Sequence, residues 1–162
     1  MFNFNSKCSW SSLVTSFILV ALVRVSSAIF MTKDAFTWYD SLIFPALTPC
    51  NYTYGIVWSI LYFIMILALC MLLETPKTSS QSTTLWSIFT LQSIAQAVWS
   101  YCFFGLHSVK YGYWALVATL ILYVIFVMEA HKVSKKAAYI LIPQALWLAF
   151  AVFHSYQLMM LN

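Results

Sequence analysis

Charge is what this sequence has least of. Asp, Glu, Lys and Arg together make up 7% of its 162 residues, against roughly a quarter in an average soluble domain. So little polar material cannot coat a water-facing globule, which excludes a soluble fold. Glycine is scarce as well, at three residues, and there is no Gly-rich phosphate loop and no nucleophile elbow. The four cysteines, Cys8, Cys50, Cys70 and Cys102, form no C-x-x-C pair. They read as small packing residues rather than as a metal or redox site. His107, His131 and His154 are isolated, with no partner at metal-ligand spacing, so no metal is expected. The four acids, Asp34, Asp40, Glu74 and Glu129, fall in predicted connectors, which leaves no buried carboxylate for a proton relay or ion coupling. The net charge of +4 is scattered along the chain. Nucleic-acid binding would call for a denser basic groove, and no nucleic acid is expected as a partner.

What the chain has instead is apolar length. Hydrophobic residues make up 63% and the mean hydropathy is +0.86. Apolar stretches of about 18–25 residues recur, enough to cross roughly 30 Å of hydrocarbon as helix. The ~10-residue apolar/polar alternation of a membrane barrel is absent. The fold class that follows is all-α: one integral membrane domain over residues 1–162, a bundle of five transmembrane helices at about 12–31, 55–73, 85–104, 113–128 and 137–158. The long connector Thr32–Tyr54 carries Pro45, Pro49, six aromatics and few charges. It lacks the Gly/Ser composition of a flexible linker and is expected to fold back onto the bundle.

Ser26-Ser27-Ala28 could end a secretory signal, but Arg24 sits where such signals are uncharged, so the first helix is expected to be retained. Arg24 is expected to snorkel to the headgroups. With five crossings, Lys7, Lys77, Lys132, Lys135 and Lys136 share one side, and Lys33 and Lys110 the other. The positive-inside rule then places the N-terminus in the cytoplasm of a bacterial cell membrane.

Aromatics are abundant: 7 Trp, 10 Tyr and 13 Phe. Some suit interfacial belts, and ordinary helix packing accounts for many single rings. Three helical faces mix aromatic with polar groups, however. They are Trp58, Tyr62 and Met65; Gln92, Gln96, Trp99 and Phe103; and Gln144, Trp147, Ala151, His154 and Leu158. Faces of this kind are costly against lipid and turn inward, where three of them can line a shared pocket for a flat, apolar ligand with a few polar atoms.

Several motifs then resemble one family. Trp38-Tyr39, Leu42, Pro45, Pro49, Gly55, Val57-Trp58 and Leu61-Tyr62 fit the pattern WYxxLxKPxWxPPxxxxGxVWxxLY without a gap. Trp99 with Phe103-Phe104-Gly105-Leu106, Trp114-Ala115-Leu116-Val117, and Ala137-Ala138, Pro143, Trp147-Leu148-Ala149-Phe150 and Tyr156 are similar to later segments of the same family. From about Trp38 to Asn162 the chain resembles the translocator protein (TspO/MBR) family, which includes the tryptophan-rich sensory proteins and the peripheral-type benzodiazepine receptor. The resemblance implies a five-helix bundle, often a homodimer, whose cavity is capped by the first long loop. It implies a receptor or sensor in the lipid bilayer for tetrapyrroles such as protoporphyrin IX, or for other hydrophobic small molecules of benzodiazepine type. Porphyrin would be a ligand rather than a cofactor. An enzyme-like, light-dependent porphyrin degradation through Trp58 and Trp147, or transport of tetrapyrrole or lipid, is the alternative; no catalytic residue is otherwise expected. The ligand-binding set is Trp38, Trp58, Tyr62, Gln96, Trp99, Phe103, Trp147, Ala151 and His154.

Departures from the pattern also carry expectations. Phe44, Leu47 and Cys50 replace the family's loop Lys, Trp and second Pro, and Gln96 replaces the third-helix Asn. Met160 stands where the proposed sterol motif has a basic residue, so sterol recognition through that motif is expected to be weak.

Overall fold

A computed structural model describes residues 8–162 of the chain. Lys7, which contributes to the charge asymmetry, lies outside the described residues. The elements are helices α1 (Trp10–Ala28), α2 (Lys33–Asp40), α3 (Asn51–Glu74) and α4 (Ser79–Ser100), a π-helical turn (Tyr101–Gly105), α5 (Val109–Val133) and α6 (Lys135–Leu161). No strand occurs among the described residues. Four of the helices, α1, α3, α5 and α6, are long and apolar enough to cross a membrane. The fifth, α4, is 22 residues long and opens on the polar run Ser79-Ser80-Gln81-Ser82-Thr83-Thr84, which lowers its hydropathy without shortening it.

The helices run beyond the apolar segments because polar side chains start them. An N-cap oxygen accepts one of the backbone N–H groups that the first turn leaves unpaired. Ser9, Thr32, Ser108 and Ser134 do this for α1, α2, α5 and α6. Thr78 and Gln81 form a reciprocal capping box for α4. The connectors are correspondingly short, and all four acids assigned to them sit in helices. Glu74 ends α3, and Glu129 lies within α5, where Lys132 donates to it at 2.6 Å. Asp34 and Asp40 likewise belong to α2 rather than to irregular chain.

Packing closes the long helices into a ring. The neighbours run α1–α3–α6–α5–α4 and back to α1. The buried face of α1 is Ser16, Val20, Val23 and Ser27, spaced i, i+4, i+7, i+11 as one helical stripe requires. The Ser9 backbone N–H and hydroxyl both donate to Glu74, which fastens the start of α1 to the end of α3. At the other end the Asn162 amide bonds both ways with the Ile43 backbone, at 2.9 and 3.0 Å. The two ends of the described chain therefore lie at opposite ends of the bundle.

One cysteine expectation needs correction. Cys8 lies against Cys70, 62 residues away, with the Cα atoms 6.1 Å apart, a separation a disulfide can bridge. The contact that seats Ser9 on Glu74 carries Cys8 onto α3, which no sequence spacing reveals. Cys50 and Cys102 are free.

The connector between α1 and α3 folds back onto the bundle. Its helix α2 packs on the π-helical turn. Ala35 is fully buried there, with Phe103, Phe104 and Leu158 in the same cluster.

Candidate functional site

At the end of the ring covered by α2, the helices enclose a cavity of about 620 Å³, within the range of about 300–1,000 Å³ typical of small-molecule sites. The stripe of α3 that faces it is Asn51, Tyr54, Trp58 and Tyr62, at i, i+3, i+7 and i+11. From α6 come Trp147, Ala151, His154 and Leu158, at i, i+4, i+7 and i+11. Gln96 and Trp99 of α4 face them, with Thr119 of α5 and Arg24 and Ser27 of α1 completing the ring. Phe36, Tyr39 and Asp40 of α2 form the lid.

The π-helical turn gives this end its shape. Leu106 N–H reaches the Tyr101 carbonyl at 2.8 Å, five residues back, and the widened turn directs both Phe103 and Phe104 inward. Their rings meet edge-on at 4.9 Å. Gly112 of α5 admits Phe103, since a Cβ there would lie 2.7 Å from its ring.

Two aromatic walls result. On one, Trp58 stacks near Tyr62 (5.5 Å, 27°) and Trp147 meets Tyr54 edge-on (6.1 Å) and Phe150 (5.2 Å). On the other, Trp99 lies parallel to Phe103 (6.1 Å, 17°). Polar groups punctuate both. Gln96 Nε2 donates to the Tyr62 hydroxyl at 3.2 Å. Thr48 donates its proton to the Pro45 carbonyl at 2.7 Å, which leaves His154 Nε2 as the donor in their 2.9 Å contact. That bond ties the lid loop to α6. Trp99 Nε1 and Ser155 Oγ are buried without a partner. On the lid, burial and then the neighbouring Asp40 charge raise the Tyr39 phenol above its usual range, so it remains a neutral hydroxyl.

Eight of the nine residues singled out from the sequence line this cavity: Trp58, Tyr62, Gln96, Trp99, Phe103, Trp147, Ala151 and His154. Trp38 does not. It stacks on His107 (5.0 Å, 17°) and touches Phe103 edge-on, behind the lid rather than under it. On a helix, adjacent residues point about 100° apart, and here Tyr39 takes the inward position. His107 adopts a left-handed backbone (φ 50°) and lies 3.6 Å from Asp34, so Trp38 helps hold the lid to the α4–α5 corner.

Sequence reasoning missed several lining residues. Asn51 and Tyr54 continue the α3 periodicity and were there to be found. Arg24 lines the cavity rather than only reaching for headgroups, and its i, i+3 spacing to Ser27 was the available signal. Asp40 and Tyr39 depend on α2 being helical. A second depression, over Leu73–Thr83, is an open polar surface groove at the other end and holds none of the aromatic walls.

Comparison with known proteins gives a consistent result. The model of the TspO/MBR family matches residues 15–161. That match takes in most of α1, which the motifs from Trp38 onward leave out. The chain is 29% identical over 152 residues to the tryptophan-rich protein TspO of Bacillus cereus, covering 94% of this chain and 97% of that protein. It is 28% identical over 153 residues to the translocator protein of Bos taurus, covering 92% and 89%. Protein CrtK of Rhodobacter capsulatus is 24% identical, with 83% and 82% covered.

Proposed function

Since the chain belongs to the TspO/MBR family, we propose that it is a membrane receptor or sensor that binds flat hydrophobic molecules in the α2-capped cavity. Tetrapyrroles such as protoporphyrin IX and benzodiazepine-type compounds are the ligand classes. The observation that carries this reading is the pair of aromatic walls, Trp58 with Trp147 on one side and Trp99 with Phe103 on the other, across about 620 Å³. Ring faces offer large apolar contact to a planar ligand, and a few convergent polar groups fix its orientation. Lysine asymmetry supports an orientation with the Ser9 end of the bundle in the bacterial cytoplasm and the lid outside.

Titrating purified protein with protoporphyrin IX in darkness, with tryptophan quenching as the readout, tests the reading. Trp58→Ala and Trp147→Ala should each weaken binding roughly tenfold to a hundredfold, the equivalent of losing about 1–3 kcal/mol of stacking. Trp10→Ala should change nothing, because Trp10 is 78% exposed at the start of α1. Equal losses in all three variants would mean general destabilisation rather than a pocket. Illumination of the complex is the companion measurement. An open-chain product formed only in light, and lost when either indole is removed, would assign porphyrin turnover instead.

A further inference from the structure

We infer that the ligand of this cavity carries a carboxylate, and that Arg24 of α1 is the residue that receives it. The inference rests on the ligand-binding reading above and adds the chemistry that selects among flat molecules.

Arg24 lies four residues before the last residue of α1, on a membrane-crossing helix, and lines the cavity. Its guanidinium has neither an ion pair nor a hydrogen-bond partner among the described residues. A charge at such a position is normally paired or aimed at a polar function, because hydrocarbon solvates it poorly. Arg24 is exposed rather than walled in, so its fork of donors is open to a molecule lying in the cavity. Planar, bidentate donation to a carboxylate is what that fork does best.

The other polar groups of the cavity agree in kind. The Trp99 indole N–H is buried with no acceptor, and it can only donate. Ser155 is 6% exposed, lines the cavity, and its hydroxyl has no partner. The Tyr62 hydroxyl accepts from Gln96, which leaves its own proton to give. Three donors and one cation therefore wait for acceptors. The single acid on the lining, Asp40, belongs to the lid, is exposed, and forms no ion pair with Arg24. A flat ring system with an acidic edge fits this complement: rings between the aromatic walls, carboxylate towards α1.

Two probes of nearly the same shape test it: protoporphyrin IX, a dicarboxylic acid, and its dimethyl ester, which is neutral. Both are titrated in darkness into detergent-solubilised wild type, Arg24→Gln and Arg24→Lys. Wild type should bind the acid about tenfold or more tighter than the ester, as a charged hydrogen bond predicts. Arg24→Gln should abolish that preference by weakening the acid alone, while ester affinity stays within about twofold of wild type and certifies the fold. Arg24→Lys should fall between, keeping the charge and losing the fork. A wild type that binds both probes equally overturns the inference and leaves the ligand-binding reading intact. An Arg24→Gln protein with an unchanged acid-to-ester ratio, or with both probes weakened alike, overturns it too. A wild type that binds neither removes the underlying reading and this inference with it.

Discussion

The same helices build two unlike halves. Along α3, the stripe Tyr54, Trp58, Tyr62 faces the cavity, and its continuation Met65, Leu69, Leu72 is solid core. Along α6, His154, Ala151 and Trp147 face the cavity, and Leu141, Ala138 and Ala137 are packed shut. Both halves are apolar and both contain aromatics, so hydrophobicity does not separate them. What differs is the neighbour each large ring meets. In the closed half Phe126 packs among Phe89, Tyr123 and small or aliphatic residues, including the fully buried Ala130, and Tyr123 donates to the Leu141 carbonyl at 3.3 Å. Small residues let backbones approach, and branched chains fill the remainder. In the open half, large rings line both walls, and flat surfaces on curved helices leave space. Gln92, Gln96 and Gln144 mark the transition; Gln144 is completely buried with both amide atoms unpartnered.

The contrast can be broken most forcefully from the closed half. Phe126→Ala should lower stability by about 3 kcal/mol, towards the lower end of the range for a buried ring. Lipid is as apolar as the core, so lost packing dominates over transfer. Thermal unfolding in detergent should record the loss, while the protein that remains folded binds porphyrin with wild-type affinity. A large drop in affinity of the folded fraction would mean that the halves are not separable.

A sharper test lies at the cavity end. Gly112→Ala places a methyl against the Phe103 ring, and overpacking of this sort disturbs by about 1–3 kcal/mol. Here the displaced ring belongs to the far aromatic wall, so ligand affinity should fall severalfold and the unfolding temperature should shift less than in Phe126→Ala. If affinity is untouched, Phe103 is scaffold rather than wall.

The smallest effect should come from outside both halves. Met160 is 66% exposed on the outer surface of α6, and Tyr156 is 46% exposed one turn away. Met160→Arg should raise sterol affinity by less than about 1.5 kcal/mol, since water competes for the donor at the interface, and should leave porphyrin titrations unchanged. A sterol-binding assay on the two proteins checks it. Tight sterol binding by the unsubstituted protein would dismiss the terminal motif as irrelevant here.

How much of this could be read from the sequence follows from the range of each interaction. The long helices and the inward faces of α3, α4 and α6 were legible, because apolar length and 3.6-residue spacing are properties of single segments. Helix ends were not: the Ser, Thr and Gln that cap them lower hydropathy and so pass for connector. The short helix α2 was hidden for the same reason, its polar residues Thr32, Lys33, Asp34 and Asp40 framing a single buried Ala35. With α2 unseen, the exchange of roles between Trp38 and Tyr39 could not be foreseen. The place of Arg24 on the cavity required knowing that α1 sits between α3 and α4 in the ring, which no segment states about itself.

The closeness of Cys8 to Cys70 bears on a different question, the chemical surroundings of the two bundle ends. These sulfurs lie at the end that the lysine count assigns to the cytoplasm, where glutathione and thioredoxin keep such pairs reduced; an oxidising compartment would let them close. The cysteine pair is thus an internal reporter of sidedness, independent of lysine statistics. Trapping thiols with a maleimide in intact cells, then denaturing and separating the protein with and without reductant, reads it directly. Two labelled cysteines at these positions place that end in the reducing cytosol, and a protected, reductant-sensitive pair places it outside.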